Sequence, residues 1–360
     1  MRISGDPMRR HRARPPSVFL ALAVWLALAA PAGAGQDDTG RAGERGDRSA
    51  KDGDRWIVGL QVENDRFTQT DRHYTNGIRA SFLSPEDRVY PKAAGWLWDR
   101  LPIPEDRDHR RIEFALGQSM FTPEDTGRRD LIRDDRPYAG WLYGSMALLS
   151  YGEGANSDLE SLELDLGVVG PASLAEQTQI FWHRQIGVQE PRGWDNQLDN
   201  EPGVILSYSR KWRRLLPDTL LGMQIDLTPH ATVNLGNVLT SAGVGATARI
   251  GMDLPSDFGP PRIRPSLPGS ALFEPDKAWA WYIFAGFEGR YVLHNIFLDG
   301  NTFSDSHSVD REPLVGDFQA GAAVTVGRMR LAYIYVLRTR EFREQDVPDR
   351  FGVISLSFKF

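Results

Sequence analysis

The chain has 360 residues, 41% of them apolar and 25% charged, with a formal net charge of −6 and no cysteine. That length suits one large or two ordinary domains. The lack of cysteine excludes disulfide stapling, thiolate catalysis and cysteine metal sites, and a mildly acidic chain with no basic, aromatic-rich tract beyond its first residues is a poor ligand for nucleic acid.

The N-terminal stretch reads as a secretory signal. "MRRHRARPPSVFLALAVWLALAAPAGAGQ" has a basic start, an apolar run over residues 18–30 and the small-residue site Ala32-Gly33-Ala34. The run is too short to span a bilayer, so residues 1–34 are expected to be cleaved after Ala34. Residues 35–55 are polar and aperiodic, as in a flexible lead-in. The remaining residues, 56–360, are expected to form the folded domain.

From residue 56 onward apolar and polar residues alternate. The first two segments, 56–64 and 75–84, flank the polar link in "VENDRFTQTDRHYTNGIRASF". Segments 111–122, 139–152, 159–170 and 203–213 follow. In the fifth of these six, Leu162, Leu164, Leu166 and Val168 alternate with Ser161, Glu163, Asp165 and Gly167. Residues 221–236 carry the longest alternation, with Leu221, Met223, Ile225, Leu227, Val233 and Leu235 on one face and Asp226, Thr228, His230 and Asn234 on the other. The remaining segments are 240–252, 279–292, 315–326, 329–338 and 351–360.

Soluble strands average about 5 to 6 residues, whereas strands of roughly 10 with one apolar face suit a membrane barrel. Twelve such segments predict an all-β, twelve-stranded antiparallel transmembrane β-barrel. Glu163, Asp165, Asp226 and Arg249 are placed in its interior, and Trp56, Trp141, Trp212, Trp279 and Trp281 near segment ends are placed in an aromatic girdle. The terminal "FGVISLSFKF" resembles the C-terminal strand that bacterial outer-membrane proteins present to the barrel assembly machinery.

With both termini in the periplasm, odd-numbered connections are extracellular. The turns at 153–158, 215–218 and 327–330 obey the expected short periplasmic length, whereas 84–110 and 253–278 do not. The polar clusters fall on odd connections: Asn64, Asp65 and Thr75 on the first, "FTPEDTGRRDLIRDDRPYAGW" on the second and residues 171–202 on the third. In the third, "PASLAEQTQIFWHRQIG" predicts a helix with Ser173 as N-cap, Glu176 as its reciprocal partner and Gly187 as the stop. Gln179 and His183, four apart, share a face.

Among these residues, the His183 imidazole can take a proton from water at physiological pH, or simply hydrogen-bond within its loop. Asp65 is an anionic oxygen ligand, and Asn64 and Thr75 supply neutral oxygens; such a set suits a hard cation such as calcium. Spacing alone reads Asp65 and Thr75 equally well as loop caps. No Gly-x-Ser-x-Gly elbow, His-Glu-x-x-His pair or Gly-rich phosphate cradle competes.

Taken together, "ENDRFTQTDRHYTNG", "DDRPYAGWLYG", "TQIFWHRQIG" and "GWDNQLDNEPG" resemble the outer-membrane lipid A 3'-O-deacylases of Gram-negative bacteria, along essentially the whole mature chain. The resemblance implies a calcium-dependent esterase that removes the 3'-linked acyloxyacyl chain from lipid A of lipopolysaccharide in the outer leaflet. It implies that His183 activates water, that Asp65 binds calcium with Asn64 and Thr75 in the ion or oxyanion site, and that Gln179 positions the helix or the water. Some members place a functional lysine in the second loop, where this chain has Gly127-Arg128-Arg129. Arg128 or Arg129 is the candidate for a lipid A phosphate, since guanidinium suits phosphate geometry. Asp135-Arg136-Pro137-Tyr138 and Trp194-Asp195-Asn196-Gln197 read as architectural. The competing readings are a silent lipopolysaccharide-binding or pore barrel and an outer-membrane phospholipase.

Overall fold

A computed structural model describes residues 55–65, 73–86, 109–152, 156–216, 219–255, 257–259, 272–273 and 277–360. The expected signal sequence, nearly all of the lead-in and residues 66–72 of the first loop lie outside the described residues. Twelve long strands form the wall: β1 (Ile57–Asn64), β2 (His73–Leu83), β3 (His109–Thr122), β4 (Ala139–Tyr151), β5 (Asp158–Val169), β6 (Glu201–Trp212), β7 (Gln224–Gly236), β8 (Leu239–Met252), β9 (Trp279–Asn295), β10 (Leu314–Val326), β11 (Met329–Arg338) and β12 (Asp349–Lys359). A two-residue ladder, Arg214–Leu215, adds to the end of β7. Each strand pairs antiparallel with its chain neighbour, and β1 pairs with β12 from Ile57↔Lys359 to Asn64↔Gly352, so the sheet closes without an edge. Closure satisfies the backbone groups that lipid cannot.

Side chains sort inside out. On β7, Asp226, Thr228, His230, Thr232 and Asn234 are buried in the lumen, while Leu227, Val233 and Leu235 are exposed. Phe82, Leu116, Leu166, Val244, Ile283, Phe287 and Phe318 continue the exposed apolar surface around the wall. A polar interior and an apolar exterior mark a barrel that spans lipid.

The interior is filled by paired charges. Arg79 bridges Glu113 at 2.7 Å and Glu163 at 3.0 Å, and the Ser145 hydroxyl lies between Glu163 and Asp165, with one hydrogen to donate to either. Toward the periplasmic end Arg249 pairs with Asp226 and Asp257, and Arg330 meets Asp257 at 2.6 Å. Asp257 belongs to the long connection after β8. Phe258, Leu272 and Phe273 of the same connection pack with Ile57, Leu83, Leu149 and Tyr151. That connection was too long for an ordinary periplasmic turn; its described residues fold back over the barrel end, which is why the length rule failed there.

The outer rim is tied together across distant loops. Arg136, fully buried, donates to Glu341 Oε2 at 3.2 Å and lies over the Phe121 ring at 5.0 Å. Burial alone would raise the Glu341 carboxyl, but Arg338 and Arg136 outweigh it and hold the group below its ordinary range. A depressed carboxyl stabilises above its unfolded pKa and loses that contribution as pH falls through the folded one. Protease nicking of the 339–348 connection is therefore expected to rise below about pH 4.3, the ordinary glutamate value. Glu341→Gln should be susceptible already at pH 7; equal resistance of variant and parent at both pH values would contradict this role.

Two expectations from the alternation are corrected. Leu221 and Gly222 form a turn at positive φ (54° and 79°), so β7 begins three residues later than the apolar pattern suggests. Trp141 does not join a girdle: it is buried in the lumen, its ring stacked on Tyr143 at 5.5 Å, whereas Trp56 and Trp279 are exposed.

Candidate active site

The first cluster stands where β1 and β2 end. Asn64 pairs with Asn76, so Asp65 and Thr75 are the next residues outward on the two strands. Alternation places Val58, Leu60, Val62 and Asn64 on the outer face of β1, because Gln61 and Glu63 are the fully buried lumen residues. The β2–β3 register jumps from Tyr74↔Phe121 to Asn76↔Met120, leaving Thr75 as the extra residue of a β-bulge. A bulge re-aims one side chain. Here it sends the Thr75 hydroxyl to Thr122 Oγ1 at 2.7 Å, on the outer side of β3, while Tyr74 stays inside against Phe121. Asp65 and Thr75 are 1% and 3% exposed.

The second cluster rides on helix α1 (Ala175–Ile186). Asn64, Asn76, Met120 and Gly140 are successive cross-strand partners on the outer face. The helix is seated at the far end of that row. Gly140 has no side chain, and a Cβ there would strike Ser173 Oγ and Ala175 Cβ. Met120, Tyr138, Ala175 and Trp194 form one buried cluster, and Gln118 Nε2 donates to the Ser173 carbonyl at 2.7 Å. Four strands spaced about 4.8 Å apart separate Asn64 from Gly140 by roughly 14 Å of wall. Asn64 and α1 thus share the outer side of the rim, while Asp65 follows the lumen-facing Gln61 and Glu63 in the alternation of β1. Gly140→Leu is expected to unseat α1 and remove His183-dependent activity while strand content by circular dichroism is retained; full activity would show that the seat is dispensable.

Ser173 was expected to cap the helix but does not. It lies in a 3-10 turn (Pro171–Ser173) and donates its hydroxyl to the Gly170 carbonyl at 2.6 Å. The N-cap is Leu174, a left-handed residue (φ 60°) without a side-chain cap bond. Leucine there costs on the order of 1 kcal/mol. The tight turn and the Gly140 contact fix the entry instead. Gly187 ends the helix as expected, at φ 69° with its N–H on the His183 carbonyl.

Ala175, Gln179 and His183, spaced by four, form the buried face of α1. Trp194 Nε1 donates to Gln179 Oε1 at 2.7 Å. That fixes the amide orientation and leaves Gln179 Nε2 buried without a partner among the described residues. His183 Nδ1 lies 2.5 Å from the Gln189 carbonyl. A carbonyl can only accept, so Nδ1 carries a proton, and in the neutral imidazole Nε2 is the nitrogen with the lone pair. Arg184 clamps Glu190 through bonds of 2.8 and 3.2 Å, holding the turn that presents Gln189, and the guanidinium lowers the Glu190 carboxyl. This pair is exposed, so its contribution is small.

Arg128 and Arg129 are exposed on the second loop. The Arg129 carbonyl accepts Asn196 Nδ2 at 2.8 Å, and its guanidinium stands 3.6 Å from Asp195. Arg128 makes no ion pair among the described residues. Both flank the 3-10 turn (Trp194–Asn196) whose tryptophan holds Gln179. The DDRPY motif is architectural: Asp135 accepts the backbone N–H groups of Glu124 and Arg136, each at 2.7 Å, and Tyr138 donates to the Thr126 carbonyl.

The model for outer membrane protein LpxR matches residues 19–360 of the chain. The chain belongs to the LpxR family. It is therefore a protein of the Gram-negative outer membrane. No curated protein sequence matches it. Among solved structures, LpxR from Salmonella typhimurium superposes with a TM-score of 0.68 at 21% identity, over 84% of this chain and 100% of that one. The Bordetella autotransporter BrkA β-domain reaches 0.39 at 8% identity, over 85% of this chain and 98% of that one. LpxR-family membership agrees with the resemblance read from the motifs around Asp65, Tyr138 and His183.

Sequence reading missed several residues of the site. Thr122, Gly140 and the Gln189 carbonyl carried no signal, and Trp194 was placed among scaffold residues without its link to Gln179. Asn64, Asp65 and Thr75 offer oxygen donors only, and the described residues contain no group of three or more histidine, cysteine or acidic side chains that could hold a metal ion. A buried carboxylate beside an amide and a hydroxyl fits a hard, oxygen-seeking cation such as calcium.

Proposed function

We propose that this chain is an outer-membrane hydrolase that cleaves the ester of the 3'-linked acyloxyacyl chain of lipid A. The observation that carries the reading is the Nδ1 tether of His183 to Gln189, which makes Nε2 the nitrogen available as a base on a buried helix face. Supporting it are LpxR-family membership and the seat of α1 on the outward side of the wall, where the acyl esters of outer-leaflet glycolipids lie.

In this mechanism His183 Nε2 takes a proton from water as its oxygen bonds to the ester carbonyl. The tetrahedral intermediate collapses by breaking the bond to the 3'-oxygen, and the imidazolium returns its proton to that leaving oxygen. The products are a free acyloxyacyl acid and a lipid A with a 3'-hydroxyl. Gln179 Nε2 positions the water or donates to the oxyanion. Asp65, Asn64 and Thr75 would hold calcium, whose charge would supply electrostatic stabilisation to the developing oxyanion. Arg128 is the better placed of the two arginines to meet a phosphate, since Arg129 already faces Asp195.

A filled lumen disfavours a pore. The test is mass spectrometry of lipid A from membranes carrying the folded protein with calcium. Loss of the mass of one 3'-acyloxyacyl group supports the reading. Unchanged lipid A refutes it, and release of fatty acid from glycerophospholipid alone would transfer the chemistry to a phospholipase. Within the site, Trp194→Phe leaves Gln179 Oε1 without its donor, at a cost of about 1–3 kcal/mol. Turnover is expected to fall roughly tenfold with little change in KM; wild-type kinetics would remove Gln179 from the mechanism.

A further inference from the structure

Helix α1 carries the buried face already described, and its opposite side is not covered by the protein. Leu174 and Phe181, seven residues apart, are 53% and 54% exposed, and the half-buried Trp182 stands edge-on to Phe181 with ring centres 5.4 Å apart. At 100° per residue this side, from Gln177 through Phe181 and Leu174 to Thr178, holds no charged residue, and Arg184 lies at its margin. Large apolar side chains left bare on one side of a short helix are a contact surface.

What lies beside that surface is fixed by the barrel. The helix is seated outside the wall on Gly140 and Met120; the outward column of Met120 runs down β3 to Leu116, 62% exposed, whose row continues through Gly144 on β4 to Leu166, 53% exposed, on β5. Leu116 and Met120 are four residues apart, roughly 13 Å along a strand. The exposed side of α1 therefore lies on the lipid-facing side of the wall, above the row that holds Leu116. The left-handed Leu174 at the N-cap adds to this, since its strained backbone turns an apolar side chain outward rather than into the protein.

We propose that α1 is a membrane-docking helix, with Leu174, Phe181 and Trp182 inserted among the upper acyl chains of the outer leaflet. The bilayer then holds the helix that carries Gln179 and His183 at the depth of ester linkages. The proposal concerns where the helix lies and stands independently of the ester chemistry.

The chain has no cysteine, so single cysteines report position without background. Phe181→Cys and, as a second position, Leu174→Cys would carry an environment-sensitive fluorophore in protein reconstituted into phosphatidylcholine vesicles with and without lipopolysaccharide, quenched by lipids bearing nitroxides near the headgroup or deep in the chain. Leu116→Cys serves as the belt reference, and Arg343→Cys, an exposed outer-loop position paired with Asp310, as the aqueous reference. Docking predicts quenching at 181 and 174 by the shallow nitroxide at no less than half the value at 116, with 343 unquenched. Quenching at both helix positions no greater than at 343 overturns the proposal. So does excimer formation between pyrene labels at 181 on different copies, which would make the occupant a second chain.

Discussion

His183→Ala is expected to lower ester hydrolysis by roughly 10²–10⁴-fold, the usual contribution of a positioned general base, while the barrel still assembles. The geometry makes the prediction specific. His183 Nδ1 is committed to the Gln189 carbonyl, so the imidazole has one tautomer and one free nitrogen. Alanine removes that nitrogen but keeps helix propensity, and the Ala175 and Gly187 ends of α1 do not depend on the histidine side chain. Strand content and resistance to protease should match the parent. Lipid A acylation by mass spectrometry, with folding checked in the same preparation, decides the matter. A folded His183→Ala protein that deacylates at the parental rate would exclude the imidazole as base.

The barrel was legible because an inside-out protein repeats one physical rule along every strand. Lipid demands apolar residues at each second position, and a filled lumen demands polar ones between them. All twelve strands were found within a few residues of their observed ends. The errors came where that rule stops applying. Leu221 continues the apolar alternation into a turn, because a turn at the membrane surface can also be apolar. Trp141 sits near a strand end, but the parity that points it into the lumen was not weighed against its chemical type. Ser173 had the right neighbours for a cap, yet the glycine that lets it wedge against β4 lies more than thirty residues earlier.

The site was legible by composition but not by geometry. Asn64, Asp65, Thr75, Gln179 and His183 were chosen as polar residues on outward connections; the structure puts the first three where β1 and β2 end and the last two on the buried face of α1. The bulge that turns Thr75 outward and the bond from Trp194 to Gln179 join residues 47 and 15 apart, respectively, when Thr122 is counted as the partner of Thr75. Such contacts follow from three-dimensional packing and leave no period in the sequence.

Asp65→Asn is expected to abolish the calcium dependence that the oxygen-rich first cluster implies, with turnover reduced by about 10²–10³-fold, the scale for losing one electrostatic contact to an oxyanion. The carboxylate is 1% exposed and lies where β1 and β2 part, with Asn64 before it and Thr75 opposite. Asparagine keeps the shape and removes the charge, which separates ion binding from loop structure. A ligand that binds only the folded state stabilises it by about 2.7 kcal/mol at one hundred times its Kd. Calcium should therefore raise the melting temperature of the parent and leave that of Asp65→Asn unchanged, a readout that needs no turnover. Chelation should silence the parent reversibly. If calcium shifts both proteins equally, the ion binds elsewhere; if it shifts neither and chelation leaves hydrolysis intact, Asp65 caps its loop and the attack on the ester proceeds without a cation.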